Sequence, residues 1–227
     1  MVIKKKLKNL LVSLLFITLL IYHYNLHQEK RMYEEYISID IYNDMSTLVV
    51  SIIENGKLYE NILEEEVITR GDADRLKWNA YNILEFSQHY GSVASQFNRI
   101  KSEVFHNETA ENAAQIADLF SEMNGDEETD FDNMDEVTYE LNDVMEDKIM
   151  QLKELNSLWV DSVFKNVAGT SGDKGEIEFD SDEFRSNYED NSVSDNFWVH
   201  LILDLDEDTR NFLTVNELNS IEEVIKN

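Results

Sequence analysis

Apolar residues follow two patterns along this chain. From Leu10 to Tyr24 they form a nearly unbroken stretch, entered through Lys4, Lys5, Lys6 and Lys8. Beyond it they recur every three or four positions among polar ones, which is the period of an amphipathic helix. Tyr33, Ile37, Ile41, Met45, Leu48 and Ile52 keep that step and predict a helix that continues directly from the apolar stretch. The β-branched run in Leu48–Ile53 leaves a strand there as the alternative. Asn55-Gly56 is expected to end the element. Leu58, Ile62, Leu63 and Val67 then repeat the helical spacing as far as Thr69.

Gly71 breaks the pattern, and Asp72 or Asp74 can cap the next helix. Ala73–Phe105 reads as one long helix that Gly91 kinks or divides. Thr109–Met123 is a short alanine-rich helix. Asn124–Asn133 (NGDEETDFDN) reads as a linker. Met134–Ala168 carries the most regular helical pattern, from Val137 and Leu141 to Val163 and Val167. Gly169–Gly175 ends it as a glycine-rich hinge. Asp180 or Ser181 can cap a short helix to Tyr188. Asp195 can cap another holding Trp198, Leu201, Ile202 and Leu205, with a buried strand over Trp198–Leu203 as the alternative. Thr214 and Glu217 fit a capping box for a last helix with Leu218, Ile221 and Ile225.

These elements imply an all-α fold: a single N-terminal transmembrane helix followed by an extracytoplasmic bundle of five to seven helices. The absence of proline, with only seven glycines in 227 residues, favours long helices over a turn-rich β fold. The expected segments are a basic tip (1–9), a signal-anchor helix (10–25), an acidic bundle (26–168), a glycine-rich linker (169–175) and a small helical subdomain (176–227).

Charge sharpens the picture. Residues 1–31 hold six basic side chains and one acid, which leaves 13 against 46 beyond them. A surface this negative repels nucleic acid and suits a cationic protein or a divalent cation. The 15 residues from Leu10 to Tyr24 span about 22 Å as helix, short for a membrane span. Their exit decides between cleavage and retention. Tyr22 and Tyr24 suit a membrane interface, and no small-residue cleavage site comes after them. Leu10, Leu14, Leu15, Phe16, Leu19 and Leu20 would face lipid, and Lys8 can snorkel to lengthen the span. The four lysines place the amino terminus in the cytoplasm and the bulk of the chain outside, in the cell membrane. No cysteine is present, so disulfides, thiolate metal sites and cysteine nucleophiles are excluded.

Candidate chemistry is thin. Asp118–Asp147 holds thirteen acids and no basic residue, with Asp126, Asp130 and Asp132 crowded in one loop that could present oxygens to a divalent cation. An EF-hand register starting at Asp206, with Asp208 third and Glu217 twelfth, is spoiled by Arg210 at the fifth position. Glu85 with His89, and Glu103 with His106, have the spacing of helical metal ligands, but no second Glu-x-x-His exists to complete a carboxylate-bridged site. His200 reads as a hydrogen-bonded core residue, and Trp78, Trp159 and Trp198 as core anchors. Arg70-Gly71-Asp72 spells an integrin-type tripeptide, and Asn107-Glu108-Thr109 a glycosylation acceptor. No nucleophile elbow or phosphate-cradling loop appears.

The sequence therefore points away from an enzyme and a cofactor. It points to a membrane-anchored protein-binding or structural module whose acidic surface suits a cationic partner. The alternatives are a metal-dependent or carboxylate-based hydrolase, and a sensor-type ectodomain. The last is weakened by the lack of a cytoplasmic output beyond the first nine residues.

Overall fold

The structure, a computed structural model, describes residues 2–101, 103–124, 136–172 and 178–226. Seven helices dominate the described residues, with two short two-stranded antiparallel pairings: α1 (Val2–Glu65), β1 (Val67–Thr69), α2 (Arg70–Gln96), α3 (Glu108–Asn124), β2 (Val137–Glu140), α4 (Asp143–Asn166), β3 (Thr170–Ser171), β4 (Glu178–Phe179), α5 (Ser181–Tyr188), α6 (Phe197–Val215) and α7 (Glu222–Lys226). The all-α expectation holds.

Helix α1 is unbroken for 64 residues. Its two halves have different surroundings. Among its described side chains the first buried one is Ser38, and from Ile41 onward Met45, Leu48, Val49, Ile52, Tyr59 and Ile62 fill the core. The part from Leu10 to Lys30 stands clear of the bundle over about 30 Å. Asn55-Gly56 does not end the helix. Asn55 accepts a hydrogen bond from Asn79 Nδ2 on α2 (3.0 Å). Gly56 lies under α4, where an added Cβ would sit 3.3 Å from Asn156 Nδ2. The pair serves close helix contact, a use that a turn-forming composition conceals.

Helix α2 runs back antiparallel to α1. Arg75 pairs with Glu54, Asn82 Nδ2 donates to Ser51 Oγ (3.0 Å), and the Tyr90 hydroxyl donates to Asp44 Oδ2 (2.8 Å). Its start is a capping box. Thr69, not Asp72 or Asp74, is the cap, and Asp72 answers from the third position. It ends at Gln96, nine residues short of the sequence expectation, where Asn98 takes a left-handed φ of 55°. Gly91 does not divide it. The Phe105 ring folds back onto that glycine and occupies the space a Cβ would need.

Helix α4 starts at Asp143, capped by the Asn142 side chain, which accepts from Met145 N (3.0 Å). The residues before it depart from the expected helix. Val137–Glu140 pair antiparallel with Val67–Thr69. β-branched and aromatic residues favour that pairing, yet their spacing also fits a helix. Helix α6 lies against α4 and runs antiparallel to it: Asn166 Nδ2 donates to Asp204 Oδ2 (2.6 Å), and Ser162 Oγ to Asp208 Oδ2 (2.6 Å). Trp198–Leu203 is therefore helical. Thr214 does not cap a last helix, because α6 continues through it and its hydroxyl donates to Arg210 O. Of the two expected candidates, Asp180 caps α5 and Ser181 is its first residue. One hydrophobic core cluster runs from Ile41 to Val224 and includes α5, α6 and α7 with the earlier helices.

Candidate interaction groove at the base of the first helix

The sequence candidates scatter. Glu85 and His89 lie on α2, and Glu103 and His106 in the connection after it; all four side chains are exposed. No three of the described His, Asp or Glu side chains converge to hold a metal ion. Asp126, Asp130, Asp132 and the 124–133 linker lie almost wholly outside the described residues, where only the helical backbone of Asn124 is recorded. Asp206 and Asp208 sit inside α6, so the EF-hand register falls on helix and not on a loop. Asp206 is buried and accepts from His106 N (2.9 Å) and Glu108 N (2.6 Å) at the start of α3.

Other readings need correction. His200 is exposed. Trp159 and Trp198 are core residues, but Trp78 is 57% exposed. The glycosylation acceptor is closed: Thr109 is buried with its hydroxyl 3.1 Å from that of Thr209. Asp72 of the integrin-type tripeptide is tied into the α2 capping box.

A different place gathers exposed apolar surface and charge. Where α1 enters the bundle, a groove of about 650 Å³ opens between α1, the C-terminal end of α2 and the start of α6. Ile37, Ile41, Val93, Phe97 and Trp198 give it an apolar lining, Asp40 and Arg99 add charge, and His89 adds a polar ring. Phe97 is 64% exposed at the end of α2.

The polar groups have defined roles. Arg99 stacks over Trp198, 5.0 Å from the ring centroid. It donates to Val193 O (2.7 Å), Asp195 O (2.6 Å) and Asn196 Oδ1 (2.6 Å). Burial lowers its pKa, partly offset by Asp195. Its guanidinium therefore pins the 193–196 turn against the groove. Tyr90 packs edge-on against both His89 and Trp198. Behind it, half-buried Asp44 has a raised pKa. Desolvation is the main cause, with Asp40 and Glu85 adding to it, while the Tyr90 hydrogen bond and His89 oppose it. Among the described residues neither Asp40 nor Asp44 has a lysine or arginine partner within ion-pair distance.

Compared with family models, curated proteins and solved structures, the chain matches none.

Sequence reasoning missed this groove. Phe97 falls inside the expected Ala73–Phe105 helix as one more apolar position, and Arg99 is not singled out. The available signal was Asn98 followed by Arg99 and Ile100, a helix-ending asparagine inside the periodic stretch.

Chemically, the groove is an apolar slot with one carboxylate, Asp40, in its lining. It suits recognition of an apolar side-chain row accompanied by a cation.

Proposed function

We propose that this chain is a single-pass membrane protein. Its amino terminus is cytoplasmic, and its helical bundle projects outside the membrane to bind a cationic protein partner. One observation carries the reading. Helix α1 is the one described helix long and apolar enough to cross a membrane, and it runs without a break into the bundle core. Leu10, Leu14, Leu15, Phe16, Leu19, Leu20, Tyr22 and Tyr24 are all exposed, and nothing in the bundle covers them. Twelve exposed large apolar residues among the fifteen from Leu10 to Tyr24 have no place in water and a natural one in lipid. From Asn25 to Ile37 the same helix spans about 20 Å, which makes a rigid stalk.

The acidic bundle supplies the binding surface. Its excess of carboxylates steers a positively charged protein and repels nucleic acid.

Topology is tested by labelling with a membrane-impermeant maleimide, since the chain has no cysteine of its own. A cysteine at Val215, which is 80% exposed, should react in intact cells. One at Lys5 should react only after permeabilisation. The reverse pattern overturns the orientation, and recovery of the chain in the soluble fraction overturns the anchor.

A further inference from the structure

We infer that the groove beside the stalk receives a helix of a second membrane-anchored protein, amphipathic and carrying lysine or arginine next to its apolar stripe. The inference rests on the reading of the chain as an anchored binding module, and it adds the place and shape of the partner.

Position is the first argument. The groove opens where α1 leaves the bundle, with Ile37 of α1 on one wall and Val93 and Phe97 of α2 on the other. A helix lying in it runs alongside the free half of α1 and continues into the same bilayer. A volume of about 650 Å³ accepts one side-chain row of a helix, not its whole body.

Charge is the second. Asp40 lines the groove, and Asp44 stands behind Tyr90 at hydrogen-bond distance (2.8 Å). Neither meets a lysine or arginine among the described residues. The one arginine in the groove, Arg99, is already spent on four acceptors and the Trp198 face. A cation on the incoming helix fills that gap. A second copy of this chain would bring the same carboxylates and an acidic domain, so like charges oppose it as the occupant.

The test uses the full chain in phosphatidylcholine nanodiscs and two fluorescein-labelled 18-residue helical peptides. Both carry leucines at positions i, i+3, i+4 and i+7; one has flanking lysines and its twin has glutamates. The lysine peptide should bind about tenfold tighter or more than its twin, since one satisfied charge pair is worth about that factor. Phe97→Glu and Asp40→Asn, both at exposed positions, should each remove most of that binding. Trp78→Glu, about 28 Å away along α2, should leave it unchanged. Lysine-peptide binding that is indifferent to Phe97→Glu and Asp40→Asn overturns the groove and leaves the cationic-partner reading standing. No binding of the lysine peptide at all overturns both. Self-association of the chain that Phe97→Glu abolishes assigns the groove to a second copy and overturns the inference.

Discussion

Asp206 on α6 caps helix α3 from across the bundle. Its carboxylate accepts the backbone N–H of His106 at 2.9 Å and of Glu108 at 2.6 Å, a hundred residues away in the chain. The first turn of a helix has N–H groups with no partner inside the helix, and a buried one left unpaired costs free energy. Because the cap and the capped helix are distant in sequence, Asp206 fastens α3 to α6 as well as ending it. Asp206→Ala should lower unfolding free energy by about 1–3 kcal/mol in urea denaturation. A change under a few tenths would show that water replaces the carboxylate.

Thr209, three residues on, joins three elements. Its hydroxyl accepts from Trp159 Nε1 (2.8 Å), lies 3.1 Å from the Thr109 hydroxyl and donates to Leu205 O (2.8 Å). Thr209→Val keeps the shape and removes the hydroxyl, leaving the indole N–H of Trp159 and the Thr109 hydroxyl without that partner. The expected loss is about 1–3 kcal/mol. Thr214→Val, on the exposed end of the same helix, should cost under about 0.5 kcal/mol.

Gly91 inverts the usual effect of glycine in a helix. Gly→Ala in an exposed helix interior stabilises by about 1 kcal/mol. Here the Phe105 ring occupies the site of the new methyl group. Gly91→Ala should therefore destabilise the native chain, and should become neutral or stabilising when Phe105 is also Ala. Additive effects in that double-mutant cycle would contradict the contact.

Acid should stabilise the bundle. Asp44, Glu108 and Asp208 all have raised pKa values, with desolvation the leading cause in each. A carboxyl group whose folded pKa is raised binds its proton more tightly in the folded state. Its contribution is present below the unfolded value, 3.8 for an aspartate, and is lost as pH rises through the folded value. Protonation also relieves repulsion across a chain of net charge −28. Thermal midpoints should rise as pH falls from neutral toward the unfolded aspartate value of 3.8, and Asp208→Asn should flatten part of that slope. Midpoints that fall over the same interval would contradict the burial of these groups.

The sequence made the apolar stretch, the all-helical class and the core face of α1 readable, because each rests on a local period. The α5 cap was readable only as a choice between Asp180 and Ser181, which the structure decides for Asp180. Periodicity could not separate Val137–Glu140 from the helix after it, since Val137 and Leu141 satisfy both spacings. The pairing that decides, with Val67–Thr69, comes from seventy residues earlier. Asn55-Gly56 misled because its value lies in contacts with Asn79 and Asn156 on other helices. The groove was invisible for that reason too: Ile37, Val93, Phe97 and Trp198 meet only in three dimensions.

The continuity of α1 is the claim on which anchor, stalk and groove all depend. Asn25 and Asn43 are both exposed and lie eighteen residues apart, five full turns on one face. In a chain free of cysteine, Asn25→Cys and Asn43→Cys can carry a pair of spin labels in lipid nanodiscs, read by pulsed dipolar spectroscopy. One narrow peak at about 27 Å between the backbone sites, plus the label arms, is the expected result. A broad distribution reaching to shorter distances would mean that the stalk bends or unwinds between membrane and bundle, and would contradict the rigid anchor.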